Sequence, residues 1–379
     1  MSKPAFSKTV VIISSGLKSA GAEFALFRLL RGLYKKKSIR FVVFSLDSDG
    51  PVGDLIREMG IKVIVLNLRQ RSFLLYLSLF FSQIMKLQPI QIHGWMYHGN
   101  LFAFLAWVIK PKARLVFNIR QALPSLRQEK LTTRITILFN ALLSRFCYLV
   151  IHNSILGIKH HEKVGFVPCN SLYIPNGFDF AKLSPCVTKR ASFRSFHKIP
   201  KQARVICQLA RYDPIKGHDV FLEGAKILLK KRPDAIFLMA GKGLSRDHPK
   251  LSGMMSQIGS NLIVLGHQDD ISSILNGSDI LTVCSHNEGF PNALGEGMSI
   301  GLSCVATDVG GCSQILGDCG RLVPPGDSDL LAKCWLELLS LSEEIFRLDG
   351  LRARARIKDC FSADKFVDSY LKIFSACKS

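Results

Sequence analysis

Two nearly all-apolar runs, residues 280–284 (ILTVC) and 302–306 (LSCVA), constrain the fold more than any other feature of the chain. A strand with one wet face alternates apolar and polar residues, so runs without that alternation belong to strands covered on both faces, as in a parallel sheet. Parallel neighbours need a long crossover, and the residues between supply one: a polar loop, SHNEGF, then a helix from 291 or 292 to 300, stopped at Gly301. Pro291 is expected at the first helical position, where its missing N–H is not needed. The N–H groups of Asn292, Ala293 and Leu294 then point back toward the loop and offer an anion site suited to phosphate. Glu288 in the loop and Glu296 on the helix, eight positions apart, put two carboxylates around the same donors. Carboxylates accept hydrogen bonds from sugar hydroxyls.

The same alternation runs through the chain. Strands are expected at 10–13, 40–46, 61–66, 90–93, 115–119 and 150–152, and again at 204–209, 235–240 and 262–265, with helical stretches between. At 379 residues the chain is too long for one ordinary core. Two doubly wound α/β domains follow, 1–182 and 183–362, with a last helix in 363–379 packing back on the first. The polar, basic stretch 180–203, with Pro185 and Pro200, reads as the linker.

Candidate ligand residues fall at the ends of these strands. Gly16 opens the turn after the first, where glycine lets backbone approach a ligand, though the spacing to Gly21 is not G-x-G-x-x-G. His98 follows the strand 90–93 and opens a helix, a position suited to contacting a sugar or acceptor. Asp47-Ser48-Asp49, followed by Gly-Pro, reads as a turn, so no catalytic metal is expected. Arg211 and Lys216 come after 204–209, five apart, and two cations at a strand's carboxyl edge fit a diphosphate. Gly241 and Gly243 close the next strand, and Asp269 and Asp270 read as helix caps.

The segment EGFPNALGE, an E-x7-E pattern followed by a strand and the turn ATDVGG, resembles the retaining glycosyltransferases of group 1, family 4, with GT-B architecture. Ile174-Pro175-Asn176-Gly177 and the Arg and Lys after 204–209 fit the same pattern. The resemblance implies two Rossmann-like domains facing a central cleft, with a nucleotide-diphosphate sugar on the second. Arg211 and Lys216 would pair with the leaving diphosphate, Glu288 with sugar hydroxyls, and Glu296 with the ribose. Gly289, Phe290, Pro291, Asn292, Ala293 and Leu294 would line the donor together with Gly16, Gly241, Gly243 and His267, the last in the loop that holds the base. Where many relatives carry a histidine near the reacting sugar this chain has Arg120, which suggests a phosphate or acidic-acceptor contact. Ser303 stands in place of the family's usual proline.

Fifty Lys and Arg against 29 acids give a net charge of +21, and 25 against 8 through Pro185 leave +17 in the first half. Such a surface faces something anionic. The sequence has no C2H2 spacing, basic-leucine heptad or RNP-like aromatic pattern, so an anionic membrane face is favoured over nucleic acid. Basic residues continue through Arg127, Lys130, Arg134 and Arg145. The stretch 73–87, bracketed by Arg69, Arg71 and Lys86, is either a buried helix or one that docks on a membrane. Neither 73–81 nor 101–109 reaches the ~20 residues of a spanning helix. Eleven scattered cysteines without a C-x2-C pair point to the cytoplasm.

The expected activity is therefore retaining, metal-independent sugar transfer from a nucleotide-diphosphate sugar, UDP-linked in view of the resemblance, without any cofactor. Its acceptor would be a membrane-associated glycan or lipid-linked precursor of lipopolysaccharide or surface polysaccharide, met peripherally at the inner face of the cytoplasmic membrane. A nucleotide-sugar epimerase of the same fold, or a non-catalytic membrane- or polysaccharide-binding protein, are the alternatives.

Overall fold

Strands form where the apolar runs are continuous, and in both halves of the chain they lie side by side and parallel. The computed structural model describes residues 8–18, 21–34, 39–47, 49–67 and 72–375, and of Phe73 and Gln128 the backbone only. Two compact units result: Met1–Gly177 with Ala363–Ser379, and Phe178–Ser362. In the first, β1 (Lys8–Ser14), β2 (Ile39–Ser45), β3 (Lys62–Val65), β4 (Pro89–Trp95), β5 (Arg114–Ile119), β6 (Leu149–His152) and β7 (Ser171–Tyr173) form a sheet in the order β3-β2-β1-β4-β5-β6-β7. In the second, β8 (Val205–Leu209), β9 (Ile236–Ala240), β10 (Leu262–Leu265), β11 (Ile280–Val283), β12 (Ser303–Thr307) and β13 (Arg321–Val323) run β10-β9-β8-β11-β12-β13.

Both orders reverse once, between β1 and β4 and between β8 and β11. At such a switch point the crossovers on either side leave to opposite faces, so a crevice opens outside the carboxyl ends of the two central strands. β11 and β12 are buried at every residue, as their lack of alternation requires. The helix between them, Asn292–Ile300, ends at Gly301 with φ of +89°, a left-handed cap that side chains resist. Pro291 precedes this helix as its cap rather than occupying its first turn, one position earlier than expected.

The division of the chain falls at Gly177/Phe178 because the Phe178 ring enters the second core, stacked on Phe290 at 6.1 Å. The stretch read as a linker instead carries a ten-residue helix, Val187–Phe196. Its Arg190 and Arg194 donate to the buried Asp279 carboxylate at 2.7 and 2.6 Å, and Asp279 also accepts from the Val205 N–H. A basic segment thus becomes a structural brace once one buried acid collects its charges. The final helix, Ala363–Ser375, belongs to the first unit, where Gln91 donates to the Ile373 carbonyl. The helix Phe73–Met85 buries Tyr76, Phe80 and Ile84 in the first core; Arg69 and Arg71, read as its flanks, lie outside the described residues, as does Ser48. No helix of the described residues is long and apolar enough to cross a membrane.

Candidate active site

The loops that follow β8 and β11 meet at the switch point of the second sheet. Lys216 Nζ lies 2.6 Å from Glu288 Oε1, although the two residues are 72 positions apart in sequence. The same carboxylate oxygen accepts from Ser285 Oγ at 2.7 Å. Both side chains are largely but not fully buried, so the pair stands at the floor of an accessible edge. An ammonium has three donors and a carboxylate two oxygens, which leaves each partner capacity for a ligand.

The backbone around this pair is tightly tied. The His286 N–H donates to the Ile215 carbonyl, Gln208 Nε2 to the Lys216 carbonyl, and Thr307 Oγ1 to the Ser285 carbonyl. Two glycines make the approach possible. Gly217 has φ of +61°, and a Cβ there would lie 2.1 Å from the Cys284 carbonyl oxygen; at Gly310, φ +56°, it would lie 1.7 Å from that of Glu288. Any larger residue would push the β8, β11 and β12 loops apart. Ser285, Gln208 and Thr307 are the site-forming residues that sequence reading passed over. Their signal was a polar residue at the end of an otherwise apolar strand.

The remaining expected residues of the second unit fall on the same sheet edge with different fates. Arg211 is exposed and paired with Asp213 at 2.8 Å. Gly241 and Gly243 follow β9, where the Tyr212 N–H donates to the Lys242 carbonyl. His267 follows β10, exposed, with Asp269 at 3.4 Å; Asp270, not Asp269, caps the next helix by accepting from the Ser273 N–H. Glu296 is half-buried, on the helix face opposite Leu294 and Met298, which are in the core. Phe290 and Leu294 are also core residues, and the Leu294 N–H donates to the Pro291 carbonyl. Whatever these two offer a ligand is therefore backbone, and the Leu294 N–H is already engaged. Gly289, Asn292 and Ala293 lie in the loop and first turn that lead away from Glu288. Ser303, where the family's proline was absent, donates to Asp349 at 2.7 Å.

In the first unit, Gly16 follows β1, its carbonyl accepting from Ser14 Oγ at 2.7 Å. His98 stands exposed in the first turn of the helix Met96–Ile109, just past β4, as the sequence placed it. The strand-to-helix turn there is sharp, with Met96 at φ +67°. Arg120 corrects its expectation. It is 8% exposed, and donates to Asn176 Oδ1 at 2.5 Å and to Tyr370 Oη at 2.6 Å while stacking over Trp95 and Phe366. The final helix covers it, so its charge serves the docking of that helix rather than an acceptor. Asp49, in the suspected turn, pairs with Arg57 and accepts from the Gly50 N–H.

Parallel sheets with one reversal each, and a cation–carboxylate pair at the second reversal, define a protein of the GT-B fold. Anabaena Alr3699/HepE in complex with UDP and glucose superposes with a TM-score of 0.84 at 20% identity, over 97% of this chain and 100% of that one. Residues 203–341 match the family described as Glycosyl transferases group 1. N-acetyl-alpha-D-glucosaminyl L-malate synthase of Bacillus anthracis is 29% identical over 184 residues, 46% of this chain and 46% of that protein. UDP-Gal:alpha-D-GlcNAc-diphosphoundecaprenol alpha-1,3-galactosyltransferase of Escherichia coli is 25% identical over 212 residues, 55% of this chain and 54% of that protein. Within its second unit the chain is therefore similar to the group-1 glycosyltransferases. The matched portion spans about half the length of these curated relatives.

Proposed function

We propose that the protein is a retaining glycosyltransferase that moves a sugar from a UDP-sugar to a membrane-associated or lipid-linked acceptor. The observation that carries this reading is the Lys216–Glu288 pair at the switch point of the second sheet. A departing diphosphate gains negative charge as the glycosidic bond breaks, and Lys216, backed by Arg211, is the cation placed to receive it. Glu288 fixes Lys216 before the donor arrives and has a second oxygen for a sugar hydroxyl. Holding the ammonium in advance removes the reorganisation that would otherwise be needed during reaction. Glu296, on the outward face of the next helix, suits the ribose hydroxyls, and Gly241, Gly243 and His267 the base.

The UDP donor is supported by the neighbour that binds UDP and glucose, and the lipid-linked acceptor by the name of the E. coli relative. His98 is assigned to the acceptor or sugar. The chemistry needs no metal or cofactor: retention follows if the acceptor attacks from the face the diphosphate leaves, with a phosphate oxygen taking its proton. We place the protein on the cytoplasmic face of the membrane, held by its basic first half. The deciding experiment incubates it with a panel of UDP-sugars, with and without a lipid-linked acceptor, and follows UDP release and the anomeric configuration of the product. Donor conversion without UDP release would make it an epimerase, and binding without turnover a binding protein; inversion would remove the front-side route.

A further inference from the structure

The helix Leu131–Leu143 in the first unit is built the wrong way round for a water-facing helix. Its buried face carries Thr136, Ile137, Asn140 and Ala141, while Leu131, Ile135, Leu138, Phe139 and Leu142 face solvent. At 100° per residue these five occupy one stripe about 100° wide, the width of an ordinary core-facing stripe. Leu131 is 70% exposed and the other four about half. The orientation is fixed from within: Asn140 Nδ2 donates to the Tyr97 carbonyl at 3.0 Å and the Thr136 carbonyl at 2.7 Å. Rotating the helix to hide its leucines would bring the buried Ile137 and Ala141 to the surface and break the bond to Tyr97. The stripe continues past the helix to Phe146, half-exposed and packed on Phe104 and Trp107 at 5.7 and 6.0 Å.

We propose that this face inserts into the headgroup region of an anionic lipid bilayer. An exposed apolar face of this size is a binding surface, and its charge selects the occupant. Exposed Arg127 and Lys130 stand at its amino end and exposed Arg145 at its carboxyl end. Between Met59 and His161 the sequence has thirteen Lys and Arg against a single acid, Glu129, which accepts from Gln121. A second copy of the chain would bring the same positive rim against itself, whereas anionic headgroups neutralise the rim as acyl chains take up the leucines. The third basic residue of the cluster does something else. Arg134 donates to the Glu129 carbonyl at 2.6 Å and to that of Arg127, so it shapes the turn that leads into the helix.

The proposal deepens the membrane part of the reading above and is independent of sugar transfer, so it is tested without donor. Full-length protein is floated with phosphatidylglycerol–phosphatidylethanolamine vesicles and with phosphatidylcholine vesicles, at low and at about 1 M salt, where the Debye length falls to ~3 Å. Binding to the anionic vesicles should survive salt in part. The pair Leu138→Gln with Phe139→Gln should remove the salt-resistant part, at least about tenfold in affinity, and Lys130→Gln with Arg145→Gln the salt-sensitive part. UDP affinity and the thermal melt should match the parent chain, which separates lost insertion from lost folding. In a Phe139→Trp variant, brominated lipids should quench the new fluorescence. Parent-like binding by the Leu138/Phe139 variant, or no quenching, overturns the proposal while leaving membrane attachment elsewhere intact; no binding by the parent chain overturns both. A parent dimer that the same substitutions split would make this face a chain–chain interface instead.

Discussion

The carboxyl ends of the two sheets carry polar residues of the same kinds, but those after β5 and β6 of the first unit are sealed while those after β8 and β11 of the second are open. In the first, Arg120 after β5 and His152 at the end of β6 are buried, the arginine under aromatic rings and the final helix. In the second, Lys216 and Glu288 hold each other but keep an accessible side, and Arg211 and His267 are exposed. A charge at a strand end is therefore not a site by virtue of its position. What packs over the strand end decides, and a residue with spare bonding capacity at an open edge can meet a ligand.

The sealed side should fail first in acid. Burial lowers His93 and His152 to about 3, the nearby His161 adding to the effect on His152, and burial lowers His161 to about 4. His161 is neutral with its tautomer set: Nδ1 donates to the Gly157 carbonyl and Nε2 accepts from Tyr97 Oη. These groups ionise near 6.5 when unfolded, so the unfolded chain binds more protons below that pH. Their contribution to stability is whole above about 6.5 and is lost progressively as pH falls toward 4, by roughly 1.4 kcal/mol per histidine per pH unit. By pH 5 the three together reach about 6 kcal/mol. Denaturant titrations at pH 7 and pH 5, with hydrogen exchange to locate the loss, should show the first unit opening first; a stability unchanged between those pH values would refute the assignment.

Lys216→Ala should be the next largest effect and the reverse in kind. Turnover should drop about 10²–10³-fold, with a smaller change in KM, because the lost charge acts mainly in the transition state. A rise in KM alone would show that Lys216 only binds the donor. Arg120→Ala sharpens the contrast: about 2–4 kcal/mol of stability lost through the emptied space and the broken bonds to Asn176 and Tyr370, with turnover per folded molecule retained. Should turnover vanish in a stably folded variant, the sealed and open ends would not differ as described. Ser285→Ala should cost only about 1 kcal/mol, read as a few-fold fall in kcat, since it removes one bond that orients Glu288. Chelator treatment should have the smallest effect, none at all, and activity lost and then restored by Mg²⁺ or Mn²⁺ would overturn the metal-free chemistry.

Much of the second unit's layout was legible because its signals are local. Unbroken apolar runs mark strands buried on both faces, Gly301 marks the end of a helix, and Arg211, Lys216, Glu288 and Glu296 follow their strands at short distance. The sequence could not tell which side chain of Phe290 or Leu294 faces a core, because a loop residue's neighbours come from elsewhere in the chain. The same limit applies to the basic stretch around Arg190 and Arg194: its composition reads as a solvated linker until Asp279, 85 positions beyond Arg194, is brought against it.

The amino-acid sequence by itself determined two parallel-sheet units and the order of functional groups along the second, since periodicity and turn chemistry depend on near neighbours. Tertiary structure alone decided the Lys216–Glu288 contact, the sealing of Arg120 by a helix 250 residues away at Tyr370, and the outward turn of Leu138 and Phe139. Each depends on packing between distant segments, where one hydrogen bond such as Asn140 to Tyr97 can set which face of a helix meets water. Local pattern specifies that an element forms; only its neighbours in space specify what its side chains are left free to do.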